Sequence, residues 1–130
     1  VAKIEKEKVL VSLCFTGEPC RYHGRSVPSP AKIKRLSERY QLIYACPEQL
    51  GGLPVPRPAA PLRYKNGNKL RDINGKDISQ EFTAGAEKTL QICLEHGIKK
   101  AFLCKGSPSC DKRGFAGELL LKHGIRVVNP

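Results

Sequence analysis

The chain has 130 residues, 40% of them apolar, enough for a single domain (1–130) with a real core. No run is long and apolar enough to span a membrane, and the charged start Val1-Ala2-Lys3-Ile4-Glu5-Lys6-Glu7-Lys8 resembles no export signal, so a cytoplasmic location is expected. With 23 Lys and Arg against 12 Asp and Glu the formal charge is +11, which favours polyanionic partners, nucleic acid first.

Residues 8–14 read as a first strand, followed by a loop from Phe15 to Pro28 rich in Gly, Pro and charge. Ser29 before Pro30 is a helix start, a capping residue with proline at the first helical position. Ile33, Leu36 and Tyr40 supply the apolar stripe of a helix that ends near Arg39. Residues 40–45 form the second strand. Five prolines and two adjacent glycines between Pro47 and Pro61 exclude helix and central strand, leaving an ordered loop or flap. Asn66-Gly67 and Asn74-Gly75 are turn signals and predict a small hairpin insertion. Ser79 is the expected cap of the longest helix, which puts Phe82, Ala86, Leu90 and Cys93 on one face and stops at Gly97. A third strand runs from about Ile98 to Cys104, a last helix from Gly114 to His123, and a last strand from Ile125 to Val128. Strands alternating with helices predict a compact three-layer α/β domain, Rossmann-like, with a mostly parallel sheet.

Six cysteines without an export signal point away from a disulfide framework and towards metal binding or catalysis. Cys14, Cys46 and Cys110 stand at or just past strand ends, each in a loop marked by Gly or Pro. Ligands collect beyond the carboxyl ends of an open parallel sheet. Three thiolates meeting there suggest a metal or cluster with one coordination position open, which favours catalysis over a structural role. None of the spacings is a Cys-x-x-Cys zinc knuckle, and any one of these residues alone would read as small and buried. Cys93 reads as core, Cys104 as a buried or supporting thiol, and Cys20 as a competitor of Cys14 for the ligand role.

Three blocks carry a resemblance. They are Ser12 to Gly24, with Cys14, Gly17 and Arg21-Tyr22-His23-Gly24; Cys46 to Pro58, with Cys46-Pro47-Glu48, Gly51-Gly52-Leu53 and Pro56-Arg57-Pro58; and Ser107-Pro108-Ser109-Cys110. From about residue 8 to 128 the chain resembles the thiouracil desulfidase family of small iron–sulfur proteins. The resemblance implies a [4Fe-4S] cluster held by Cys14, Cys46 and Cys110, with one iron not bound by protein and Cys20 not a ligand. It implies Glu48 and Ser107 as the catalytic pair. The implied reaction is non-redox removal of sulfur, as hydrosulfide, from a thiolated pyrimidine: thiouracil, or thiouridine, which tRNA could carry. An open iron is a Lewis acid with affinity for a soft thiocarbonyl sulfur, Glu48 would activate water, and Ser107 would hydrogen-bond the base or shuttle a proton.

Arg21, Tyr22, Arg57 and Ser109 are further candidates for substrate contact; a guanidinium there could hold an anionic ligand or a loop carboxylate. His23 stands where the family usually has aspartate, and Asp111 where it usually has glycine. Asp111-Lys112-Arg113 runs almost directly into Gly114, a shorter lid than is usual, which would admit a substrate larger than a free base. The rival class is a nucleic-acid-binding module with zinc or a cluster on the same cysteines and no catalysis. A cluster acting on another leaving group, as in a dehydratase, and a thiol protein without a cofactor are the remaining alternatives.

Overall fold

Val9, Leu10 and Val11 have no exposed surface, as a central strand covered on both faces requires. They belong to β1 (Lys8–Ser12) of a computed structural model that describes residues 6–16 and 29–130. β1 pairs on one side with β2 (Gln41–Ala45) and on the other with β3 (Lys100–Phe102), and β3 pairs with β4 (Arg126–Val128). The order is β2-β1-β3-β4 and every pair is parallel, so the sheet is wholly rather than mostly parallel.

Three longer helices connect these strands: α1 (Pro30–Arg39), α3 (Ser79–His96) and α4 (Phe115–Lys122), with a single turn, α2 (Pro47–Leu50), directly after β2. Side chains alternate across a strand. Val9 and Val11 therefore pack with Ile33 and Leu36 of α1, while Leu10, Ala101 and Val127 pack with Cys93 of α3 and Leu120 of α4. The chain moves from β1 to β2, then reverses across β1 to β3 and β4. Right-handed crossovers consequently put α1 on one face and α3 with α4 on the other, giving the three layers. No helix among the described residues is long and apolar enough to cross a membrane.

α1 has the expected bounds, with Ser29 in the cap position before Pro30. Three expectations need correction. The Pro47–Pro61 stretch does contain a helical turn: Pro47 occupies the first helical position, where its missing N–H is not needed, and no further proline follows until Pro54. Ser79 is the first residue of α3 and not its cap. The Asp77 carboxylate accepts its N–H at 2.9 Å, and the Ser79 hydroxyl instead bonds the Leu70 backbone, accepting its N–H at 2.8 Å. The hairpin insertion is two tight turns, each closed by one isolated antiparallel bridge, Asn66 with Lys69 and Arg71 with Asp77, with no ladder between strands. Its backbone groups are spent on turn closure and on the start of α3 (Ile78 N–H to Leu70 C=O, 3.0 Å), which leaves none for a second strand.

The adjacent glycines after α2 serve different ends. Gly52 has φ +90°, a conformation side chains disfavour, and so turns the chain. Gly51 lies against the Glu81 carbonyl of α3, and Gly85 of α3 lies against the Pro47 carbonyl, so a β-carbon on either would collide with backbone. This reciprocal contact seats α2, and with it Cys46 and Glu48, on the longest helix. Gly85→Ala is expected to lower stability by about 2 kcal/mol or more by forcing α2 and α3 apart, read as a lower urea midpoint against the wild type.

Candidate active site

Where strand order turns back at β1, a parallel sheet leaves a crevice beyond its carboxyl ends. A cavity of about 230 Å³ lies there. Cys14 enters it from the 3-10 turn Leu13–Thr16 that follows β1, Cys46 from the residue before α2, and Cys110 from the loop between β3 and α4. Glu48, Arg57 and Ser107 line the same cavity. Three separate segments thus bring together all three expected ligands, both expected catalytic side chains and one of the expected substrate contacts. Cys104, two residues past β3, also lines it, while Cys93 is buried in the core. Ala59, Ala60, Ile78 and Phe82 make much of the remaining wall apolar. Ser109 is not among the lining residues, and its buried hydroxyl has no hydrogen-bond partner. Cys20, Arg21, Tyr22 and His23 lie outside the described residues.

Glu48 sits in the first turn of α2, and its Oε2 meets Arg57 Nη2 at 3.0 Å, with the side chains 16% and 4% exposed. Arg57 also donates from Nη1 to the Pro54 carbonyl at 3.1 Å. Of the two roles considered for this guanidinium, it holds a loop carboxylate. A charge-assisted pair so far from water orients Glu48 at the cavity wall, and removing either partner would strand the other. The Ser107 hydroxyl oxygen accepts the N–H groups of Ser109 and Cys110, both at 3.1 Å, and so shapes the turn that carries the third thiol.

Other residues hold this loop in place. Ser12, 1% exposed at the end of β1, accepts the Cys104 N–H at 2.9 Å and donates to Cys110 Sγ at 3.6 Å. Asn129 donates to the carbonyls of Leu103 at 3.0 Å and Cys110 at 3.2 Å, tying the end of β3 to the loop. The Asp111 carboxylate accepts the N–H groups of Gly106 at 2.8 Å and Arg113 at 3.0 Å, and Arg113 Nε at 3.1 Å. A polar residue closing an apolar strand was a readable signal for Ser12; Asn129 offered none.

The donor set can be tested against an iron–sulfur group. Burial pushes the Cys110 thiol up to about 12; nearby Glu48 and Cys104 add to the rise, and hydrogen bonds from Ser12 and Ser107 oppose it. Such a thiol is no nucleophile near neutral pH, but a metal centre can take the proton's place. The O–H···S bond from Ser12 is of the kind that supports a ligating sulfur. Cys14, Cys46 and Cys110, soft sulfur donors carried on three segments around one cavity, are a donor set that fits an iron–sulfur group such as [4Fe-4S].

Fold and site together define a parallel α/β domain with three cysteine thiols lining a cavity at its switch point. The chain belongs to the 2-thiouracil desulfurase family, whose pattern matches residues 9–129. It is 35% identical over 143 residues to the uncharacterized protein YbbK of Bacillus subtilis (strain 168), covering 93% of this chain and 94% of that one. Among solved structures it is similar to the [4Fe-4S]-dependent thiouracil desulfidase TudS, with 37% identity and a TM-score of 0.85 over 95% of this chain and 91% of that one.

Burial works against ionisation of Asp111, but the hydrogen bonds from Arg113 and Gly106 prevail and bring it from 3.8 to about 2. Its contribution to stability is therefore complete above the unfolded value of 3.8 and is lost as pH falls through about 2. Asp111→Asn is expected to cost about 1–2 kcal/mol at neutral pH. Urea midpoints should show wild type and variant converging as pH falls through that window.

Proposed function

We propose that this protein is a [4Fe-4S]-dependent desulfidase that removes sulfur, as hydrosulfide, from a thiolated pyrimidine such as thiouracil. The observation that supports this most directly is that Cys14, Cys46 and Cys110 line one cavity together with Glu48, in a chain of the 2-thiouracil desulfurase family. In this reading the three cysteines hold the cluster and leave one iron without a protein ligand. The bound group supplies a soft Lewis acid for the thiocarbonyl sulfur. Glu48 takes a proton from the water that adds to the thiolated ring carbon. The carbon–sulfur bond breaks, the water oxygen remains as the carbonyl, and sulfur leaves as hydrosulfide with no net electron transfer. Arg57 keeps the Glu48 carboxylate at the wall, and the Ser107 O–H hydrogen-bonds the ring or passes a proton. Ala59, Ala60, Ile78 and Phe82 shield the ring from water.

The substrate reading extends to thiouridine within tRNA. Its support is the +11 charge and the short link Lys112-Arg113-Gly114 between Asp111 and α4.

Protein reconstituted anaerobically is expected to release sulfide from 2- or 4-thiouracil. Glu48→Ala should lower the rate by about 10²–10⁴-fold while iron content stays unchanged, and Cys110→Ser should lose the cluster's visible absorbance. Activity that survives Glu48→Ala removes that residue from the chemistry. Sulfide from thiolated tRNA but from neither free base assigns the larger substrate.

Arg57→Gln tests the positioning of the base. Without the guanidinium the Glu48 carboxylate loses the partner that orients it at the cavity wall, so kcat should fall with iron content unchanged. An unchanged kcat would separate Arg57 from the base.

A further inference from the structure

Among the described residues, the three-layer arrangement leaves part of the sheet without a helix over it on the α1 side. α1 packs over β1 and β2, and β3 and β4 lie beyond it. Alternation turns Ala101 and Val127 into the core, where they are buried, and brings Lys100, Phe102, Arg126 and Val128 to the α1 side. A groove of about 330 Å³ runs between these strands and α1, with Arg35 and Arg39 on its helical wall and Tyr40 beside them. It shares no lining residue with the thiol-lined cavity.

Among the described residues, four cations and no carboxylate line this groove. Lys100 and Arg126 are direct register partners on adjacent strands, and like charges placed opposite one another destabilise a sheet. Lys100 meets this in part by donating to the Tyr40 hydroxyl at 3.2 Å and lying 5.4 Å from its ring centroid. Neither contact brings a negative charge. Tyr40 and Phe102, both half-buried, form a ring pair with centroids 5.7 Å apart at 44°. A cationic trough with aromatic rings in it matches a chain of regularly spaced phosphates carrying flat bases. An acidic peptide would use the charges and not the rings, and a duplex is too thick to enter a groove bounded by one helix and one sheet edge.

We propose that this groove is a docking site for single-stranded nucleic acid, separate from the crevice at the strand ends. The proposal does not depend on the desulfidase reading, because it rests on Arg35, Arg39, Lys100 and Arg126 around the Tyr40–Phe102 pair. The chain's charge of +11 steers the polyanion to the surface, and the groove gives it a track.

The test is fluorescence anisotropy of the cluster-loaded protein with a labelled oligouridylate of about twelve nucleotides that carries no thiolated base. Four neutralised phosphates on a single strand predict that affinity falls about 20-fold when salt rises from about 50 to about 150 mM. Arg35→Gln with Arg126→Gln should bind more weakly and lose only about 5-fold over the same range, since two contacts remain. Arg39→Gln with Lys100→Gln should do the same, which guards against misfolding of one pair. Lys69→Gln with Lys122→Gln, remote exposed positions, should keep wild-type binding and salt dependence. Sulfide release from free thiouracil should be unchanged in every variant. The proposal is overturned if the wild type does not bind, or if the groove variants bind like the wild type. It is equally overturned if the remote pair loses as much, or if a duplex or an oligoglutamate of the same length binds as tightly.

Discussion

β1 must serve two crossovers that leave it in opposite directions. A right-handed connection to β2 requires a helix on one face, and the return across β1 to β3 requires the next helix on the other. The loops that follow β1 and β3 are therefore parted at the carboxyl end of the sheet, and no packing can close the gap without reversing a crossover. The thiols reach the cavity because each follows a strand of this sheet: Cys14 after β1, Cys46 after β2, Cys110, with Ser107, after β3. The strands themselves are short and plain. Their function is to aim the loops.

Aiming alone would leave those loops loose, and each is pinned by a different physical device. The α2 turn is seated by backbone-to-backbone contact with α3, possible only because Gly51 and Gly85 lack side chains. The Cys110 loop is held by hydrogen bonds from elements far away in sequence, Ser12 on β1 and Asn129 after β4, and by the Asp111 carboxylate within the loop. That carboxylate gathers the Gly106 and Arg113 N–H groups, next to a link to α4 that is only Lys112, Arg113 and Gly114 long.

Charge is distributed unevenly. Around the cavity it is sparse and paired: Glu48 with Arg57, and a buried Cys110 thiol that burial keeps protonated. In a cavity with largely apolar walls each remaining charge and dipole counts for more. In the groove beside α1, charge is dense and, among the described lining residues, of one sign. The overall excess of lysine and arginine is thus not a uniform coat, since four of these cations share one groove.

The amino-acid pattern alone determined the α/β class, the bounds of α1, the three loops that carry cysteine and the family blocks, because these depend on local periodicity, proline chemistry and short-range spacing. It misjudged the cap of α3, the helical turn at Pro47–Leu50 and the hairpin, where the outcome turned on which distant backbone groups were free to bond. Ser107 and Glu48 were legible as candidates through the blocks around them. Only the tertiary structure decided that Arg57 pairs with Glu48, that Ser12 and Asn129 clamp the Cys110 loop, that Ser109 is buried and not among the cavity's lining residues, and that Lys100 and Arg126 stand side by side. Those relations join residues from different strands and loops. Side-chain contact across a fold depends on register and on which face each residue takes, and neither is written in the spacing of a single segment.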